Sequence, residues 1–170
     1  MKNGVYLLLG SNLGNREENL LRARTSIQHI GSILTISSIY QTQAWGNTQQ
    51  PDFLNQVVQI AFKNSPKELL NKILTIENDM GRMRTEKWGP RVIDIDILFV
   101  GQTIMSEPDL IIPHPQMHMR RFTLLPLAEI APKFIHPLLD KSCSQLLEEC
   151  TDHSTVELYK SGKVLRTNSK

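Results

Sequence analysis

The segment from Val92 to Phe99 constrains this chain more than any other. It is rich in the branched and aromatic residues that suit a buried strand, yet it carries Asp94 and Asp96 in its middle. Side chains alternate faces along a strand. The two carboxylates therefore point the same way, with Cα atoms roughly 6.6 Å apart, while Ile93, Ile95 and Ile97 point the other way. Two carboxylates this close repel each other in a dry site unless a cation lies between them or water surrounds them. Directly upstream stand Arg82, Arg84, Lys87 and Arg91, offset only by Glu86. Oxygen ligands beside guanidinium groups suit Mg²⁺ held against a polyphosphate, the metal taking the carboxylates and the arginines the phosphate oxygens. A half-exposed strand with an Asp-x-Asp solvent face fits the pair about as well, because strands commonly keep one polar face.

With 170 residues the chain is read as one domain over residues 1–160 with a frayed tail over 161–170. Nineteen Lys and Arg against seventeen Asp and Glu leave a formal charge of only +2, too balanced for a general nucleic-acid or membrane surface. The apolar start from Met1 to Leu9 is cut off by Gly10, Ser11 and Asn12 before it reaches the length of a signal-peptide core, and no run approaches a membrane span. A cytoplasmic protein, acting as a monomer, is the expectation. Cys143 and Cys150, if they share a helix, lie about 10.5 Å apart, beyond disulfide reach, and read as reduced and structural.

Taken in order, Gly4 to Leu9 reads as a buried strand closed by a tight turn over Gly10-Ser11-Asn12-Leu13-Gly14, which lacks the Gly-Lys-Ser/Thr ending of a P-loop. Asn15 and Glu18 resemble a capping box, and Leu20, Ala23, Ile27 and Ile30 recur at helical spacing, so a first helix is expected to end near Gly31. Ile33 to Tyr40 reads as a second strand, Gln41 to Asp52 as a long loop holding Trp45, and Phe53 to Phe62 as a third strand with Asn55 on the side of Phe53. Ser65-Pro66-Lys67-Glu68 opens a second helix. Glu77 falls beside its apolar stripe, at a helix end where the dipole disfavours a carboxylate, and is read from the pattern as an edge residue reaching water. The order strand, helix, strand, strand, helix, strand predicts an α+β fold, a ferredoxin-like βαββαβ antiparallel sheet with both helices on one face. The remainder is an annex: an extended Pro108 to Pro115, helices over Phe122 to Ile130 and Ser142 to Cys150, and an edge strand or frayed tail beyond Asp152. His114, held between Pro113 and Pro115, is either a phosphate donor or a loop-packing residue. With His118 it makes an implausible zinc pair, since no further Cys or His stands at suitable spacing.

Carboxylates, arginines and a metal point to phosphoryl or pyrophosphoryl transfer, in which a protein mostly positions groups and neutralises charge. An RNA platform on a ferredoxin-like sheet is the rival reading, set back by carboxylates that repel phosphate unless a metal intervenes. A metal-dependent nucleotidyl transfer is the second rival.

The chain resembles the 6-hydroxymethyl-7,8-dihydropterin pyrophosphokinase family of folate biosynthesis, nearly over its full length, to about Ile135. The resemblance rests on Gly10-Ser11-Asn12-Leu13-Gly14, Gln50-Pro51-Asp52-Phe53-Leu54-Asn55 and Gly81-Arg82-Met83-Arg84. It continues through Lys87-Trp88-Gly89-Pro90-Arg91 with Asp94-Ile95-Asp96, and Pro113-His114-Pro115 to Arg121-Phe122. It implies a ferredoxin-like sheet and transfer of the β,γ-pyrophosphoryl group of ATP to the pterin hydroxymethyl oxygen, releasing AMP, with no nucleic-acid or membrane partner. It implies two Mg²⁺ ions on Asp94 and Asp96, and catalytic roles for Arg82, Arg84 and Arg91, the first two on a loop that closes over ATP. Glu77, Arg84, Lys87, Trp88, Arg91, Ile97, His114 and Arg120 fall at ATP positions. Thr42, Ala44, Trp45, Phe53, Asn55 and Phe122 fall at pterin positions, where Phe53 and Phe122 can sandwich a flat bicycle and Asn55 can read its edge. No residue stands out as a general base.

Overall fold

The computed structural model describes residues 4–44, 49–81 and 90–162. The first strand, β1 (Gly4–Ser11), is apolar on both sides because both of its faces are covered, and it runs two residues into the expected turn, so that Ser11 is fully buried. Helix α1 (Arg16–Gln28) starts where the Asn15 side chain accepts the Glu18 amide, and it ends three residues short of Gly31. The expected second strand is two strands, β2 (Ser32–Ile36) and β3 (Ile39–Thr42). Side chains take over the ladder at the break. The Val57 amide donates to the Ser37 hydroxyl at 2.9 Å, and the Ser38 amide donates to the Glu129 carboxylate at 3.0 Å.

Strand β4 (Phe53–Ala61) pairs antiparallel with β1, β2 and β3. Helix α2 (Pro66–Asp79) opens with the expected capping box of Ser65 and Glu68. Strand β5 (Asp94–Val100) pairs antiparallel with β1, Gly10 opposite Asp94 and Leu8 opposite Asp96. Past Ile97 the register slips by one, because Leu7 faces Ile97 while Tyr6 faces Phe99, leaving Leu98 as an extra residue.

The annex begins with a hairpin, β6 (Met105–Glu107) and β7 (Leu110–Ile112), tied to α2 by an ion pair between Lys67 and Glu107. A 3₁₀ turn (Met117–Met119) leads into α3 (Arg121–Ile130) and then α4 (Cys143–Glu148). Cys150 lies past that helix, so the two buried, free cysteines do not share one. Strand β8 (Val156–Lys160) returns antiparallel to β3 and completes a sheet ordered β5-β1-β4-β3-β8, with β2 paired to β4. The tail expected to fray lies outside the described residues from 163 onward.

Side-chain alternation sorts two cores onto the two faces. Leu20, Ala23 and Ile27 of α1 and Leu69 and Ile73 of α2 pack on Val5, Leu7, Leu9, Ile93, Ile95 and Ile97, and β7 adds Leu110 and Ile112. On the other face Leu124 and Leu127 of α3 and Leu146 of α4 cover Tyr6, Leu8, Val57, Leu98 and Phe99. Tyr6, Phe99 and Phe134 form an aromatic cluster there, with centroids 4.6 to 6.1 Å apart. This second core stops short of the end of the sheet that carries Asp94 and Asp96.

Candidate functional site

At that end lies a cavity of about 380 Å³ whose floor is the face of β1, β4 and β5. Asp94 and Asp96 project into it, as the period-two spacing predicts. Arg91 meets Asp94 at 2.9 Å. Asp96 is pushed up to about 7, first by desolvation and then by the negative charge of Asp94 beside it, with Arg120 and Arg91 acting in the opposite sense. Among the described residues no group of three or more His, Cys, Asp or Glu side chains gathers to hold a metal. A two-carboxylate floor still fits Mg²⁺, which usually binds through one or two carboxylates and completes its shell with water and substrate phosphates.

The opposite half of the cavity is aromatic and amide-lined. Phe53 and Asn55 share a face of β4, Thr42 comes from the paired strand and Phe122 from α3. The Asn55 side-chain amide donates to the Thr42 hydroxyl at 2.9 Å, which fixes its orientation. Ala44 lines the wall beside them. Between the two halves sits Gly10, opposite Asn55 on one side and Asp94 on the other. A Cβ there would lie 3.2 Å from Asn55 Oδ1 and 3.7 Å from the Phe53 ring, so the missing side chain keeps the two halves continuous.

His114 and Arg120 complete the carboxylate end. The His114 backbone amide donates to the carbonyl of Leu98, the extra residue of β5, at 3.1 Å. The Gln116 amide donates to His114 Nδ1 at 3.2 Å, placing the proton of the neutral ring on Nε2. Burial, and then the Arg120 charge, push the imidazole down to about 4, so the ring is neutral in ordinary buffers. The Arg120 guanidinium hydrogen-bonds Gln116 and stands 5.8 Å from the Phe122 ring centroid.

Two expected site residues lie elsewhere. Glu77 is buried, not water-reaching, and accepts the Ile95 amide at 2.8 Å without lining the cavity. Its charge still acts on Asp96 through the strand. Ile97 points into the core beneath α1 and α2. Trp45, Arg82, Arg84, Lys87 and Trp88 fall outside the described residues.

Sequence reasoning missed Asn12, read as part of a turn. Buried, it donates from Nδ2 to Gln50 Oε1 and the Pro51 carbonyl at 3.2 Å each, while its Oδ1 accepts the Arg91 amide at 2.7 Å and its own amide donates to the Arg91 carbonyl. One side chain thereby joins the segment before Phe53 to the segment before Asp94. A polar pair, Ser11-Asn12, extending an otherwise apolar strand was the available signal. Leu8, Gly10, Gln50 and Gln116 also line the cavity unforeseen.

A family model described as 7,8-dihydro-6-hydroxymethylpterin-pyrophosphokinase (HPPK) matches residues 6–132. Two relatives named 2-amino-4-hydroxy-6-hydroxymethyldihydropteridine pyrophosphokinase are similar over most of the chain. The one from Synechocystis sp. is 42% identical over 152 residues, 87% of this chain and 77% of its own length. The one from Aquifex aeolicus is 41% identical over 147 residues, covering 86% and 92%. Among solved structures, Plasmodium falciparum HPPK-DHPS with pteroate is similar in fold, with a TM-score of 0.69 at 18% identity over 86% of this chain. The chain spans 42% of that longer protein.

Proposed function

As the chain belongs to the 7,8-dihydro-6-hydroxymethylpterin-pyrophosphokinase family, an ATP-dependent transferase of folate biosynthesis that moves pyrophosphate from ATP to 6-hydroxymethyl-7,8-dihydropterin and releases AMP, we propose that the cavity over β1, β4 and β5 is where it does so. The observation that carries this reading is a single cavity with two carboxylates at one end, an aromatic and amide pocket at the other, and a glycine between them.

The pterin ring lies between Phe53 and Phe122, and Asn55, held by Thr42, reads its hydrogen-bonding edge beside Ala44. This orientation aims the hydroxymethyl oxygen across Gly10 toward the carboxylates. Asp94 and Asp96 hold two magnesium ions. Magnesium bound there neutralises the phosphate oxygens and acidifies the attacking hydroxyl. Arg91 and Arg120 take phosphate oxygens, and His114 donates from Nε2 at the nucleotide end. Arg82, Arg84, Lys87 and Trp88 complete the ATP side, and Trp45 the pterin side. Glu77 and Ile97 act from behind β5, by holding the strand that carries the carboxylates.

The sheet order with α1 and α2 on one face supports reading the core as a ferredoxin-like βαββαβ unit, and residues 101–160 as its annex. The return of β8 to β3 supports one domain over residues 1–160. Among the described residues no helix is long and apolar enough to cross a membrane; that the enzyme acts as a monomer in the cytoplasm is part of the same proposal.

The test is product identity with purified protein, ATP, Mg²⁺ and the hydroxymethyldihydropterin. AMP and a pterin heavier by a pyrophosphoryl group are expected. ADP with a singly phosphorylated pterin, or no turnover by folded protein, would overturn the reading.

A further inference from the structure

Behind β4, on the face opposite Phe53 and Asn55, lies a second groove of about 860 Å³, bounded by the start of α1, the β2–β3 stretch and the end of β8. The strand divides the two spaces by side-chain alternation: Leu54 and Gln56 line this groove, Phe53 and Asn55 the other. Arg24 projects into it from α1, and it donates to a neutral partner, the Gln56 side-chain oxygen, at 2.5 Å. Among the described residues Arg24 has no carboxylate partner, and burial pulls its pKa below the ordinary arginine value. Lys160 of β8 stands near enough for the Arg24 charge to oppose its own, and it is bonded to Glu17 at 2.7 Å. The third cation, Arg16, donates to the Asp52 carbonyl at 2.7 Å. Among the described lining residues three cations stand against Glu17 and Glu18, one positive charge in excess, centred where Arg24 has no anion among those residues. The adjoining wall is apolar: Leu21 and Ile36 face the groove, with Ile39 and Leu54 buried behind them.

We propose that this groove binds a small organic monocarboxylate, its head group on the Arg24 guanidinium beside Lys160 and its apolar body against Leu21 and Ile36. The planar fork of arginine matches a carboxylate in a bidentate pair. A single net charge favours a singly charged ligand over a polyphosphate, and an apolar wall favours a hydrocarbon body over a bare ion. Because the groove lies on the other face of β4, it fills independently of the pterin and ATP cavity.

Titration of the full chain with sodium benzoate, followed by amide chemical shifts and calorimetry, tests the proposal. Saturable binding is expected, with the largest shifts at Leu21, Arg24 and Ile36, and it persists in the presence of saturating Mg²⁺ and ATP. Arg24→Met, first shown to melt as wild type, weakens binding at least tenfold, and Lys160→Gln on the exposed strand weakens it less. Phe122→Ala leaves it unchanged. Non-saturable binding, loss of binding in Phe122→Ala but not in the groove variants, or inorganic phosphate binding as tightly as benzoate would each overturn it. Should Arg24→Met fail to fold, unaltered benzoate affinity in Lys160→Gln together with shifts outside the groove overturns it as well.

Discussion

On the face covered by α1 and α2 the sheet presents an aliphatic layer interrupted at Gln56, where Arg24 of α1 meets it. On the face covered by α3 and α4 the layer runs from Tyr6 to Leu98 and then gives way to carboxylates, a glycine and an amide. Both surfaces come from the same strands, residue by residue in alternation. The closed face holds the backbone of β1, β4 and β5 in place, so that the open end of the other can carry groups that oppose folding on their own, among them two adjacent carboxylates. The proposed site thus stands on paired strands, with its supporting contacts one residue away.

The sharpest way to break this contrast is Asp96→Asn. Turnover is expected to fall on the order of a thousandfold, by the loss of a charge aimed at the reacting phosphates. The metal-free variant should melt no lower than wild type, because it removes a desolvated charge beside Asp94. Near-normal turnover, or a large drop in melting temperature, would contradict the division of labour. The converse substitution, Leu20→Ala on the closed face, should cost about 3 kcal/mol in urea unfolding while the folded fraction keeps its activity. Loss of activity without loss of stability would merge the two faces into one functional unit. Gly10→Ala probes the seam. Its Cβ presses on Asn55 and Phe53, and steady-state kinetics should show the pterin KM rising roughly tenfold with that of ATP little changed. The smallest effect is expected from Ser65→Ala at the start of α2, about 1 kcal/mol of stability and no change in kcat.

What could be read from the sequence was what depends on near neighbours. Alternation around Asp94 and Asp96, the capping box at Ser65 and the shared face of Phe53 and Asn55 all follow from spacings of two or three residues. What could not be read depends on polar groups far apart in the chain. Asn12 meets partners 38 and 79 residues away, and the break at Ser38 depends on Glu129, 91 residues on. Glu77 illustrates the same limit. A carboxylate at the end of an amphipathic helix reads as solvated, and only the docking of α2 on β5 brings the Ile95 amide to it. Hydrophobic periodicity locates elements, whereas a buried hydrogen bond between distant segments leaves no periodic trace.

The extra residue at Leu98 acts as a phase shifter within one strand. Without it Phe99 would fall toward α1 and α2, away from Tyr6 and Phe134; with it Leu98 and Phe99 both serve the second core. The carboxylates keep step with Gly10 and Leu8 on one side of that joint, and the aromatic cluster keeps its own step on the other. A change of packing in the aromatic half is therefore absorbed at a single hinge of register, and the spacing of the two carboxylates is insulated from it.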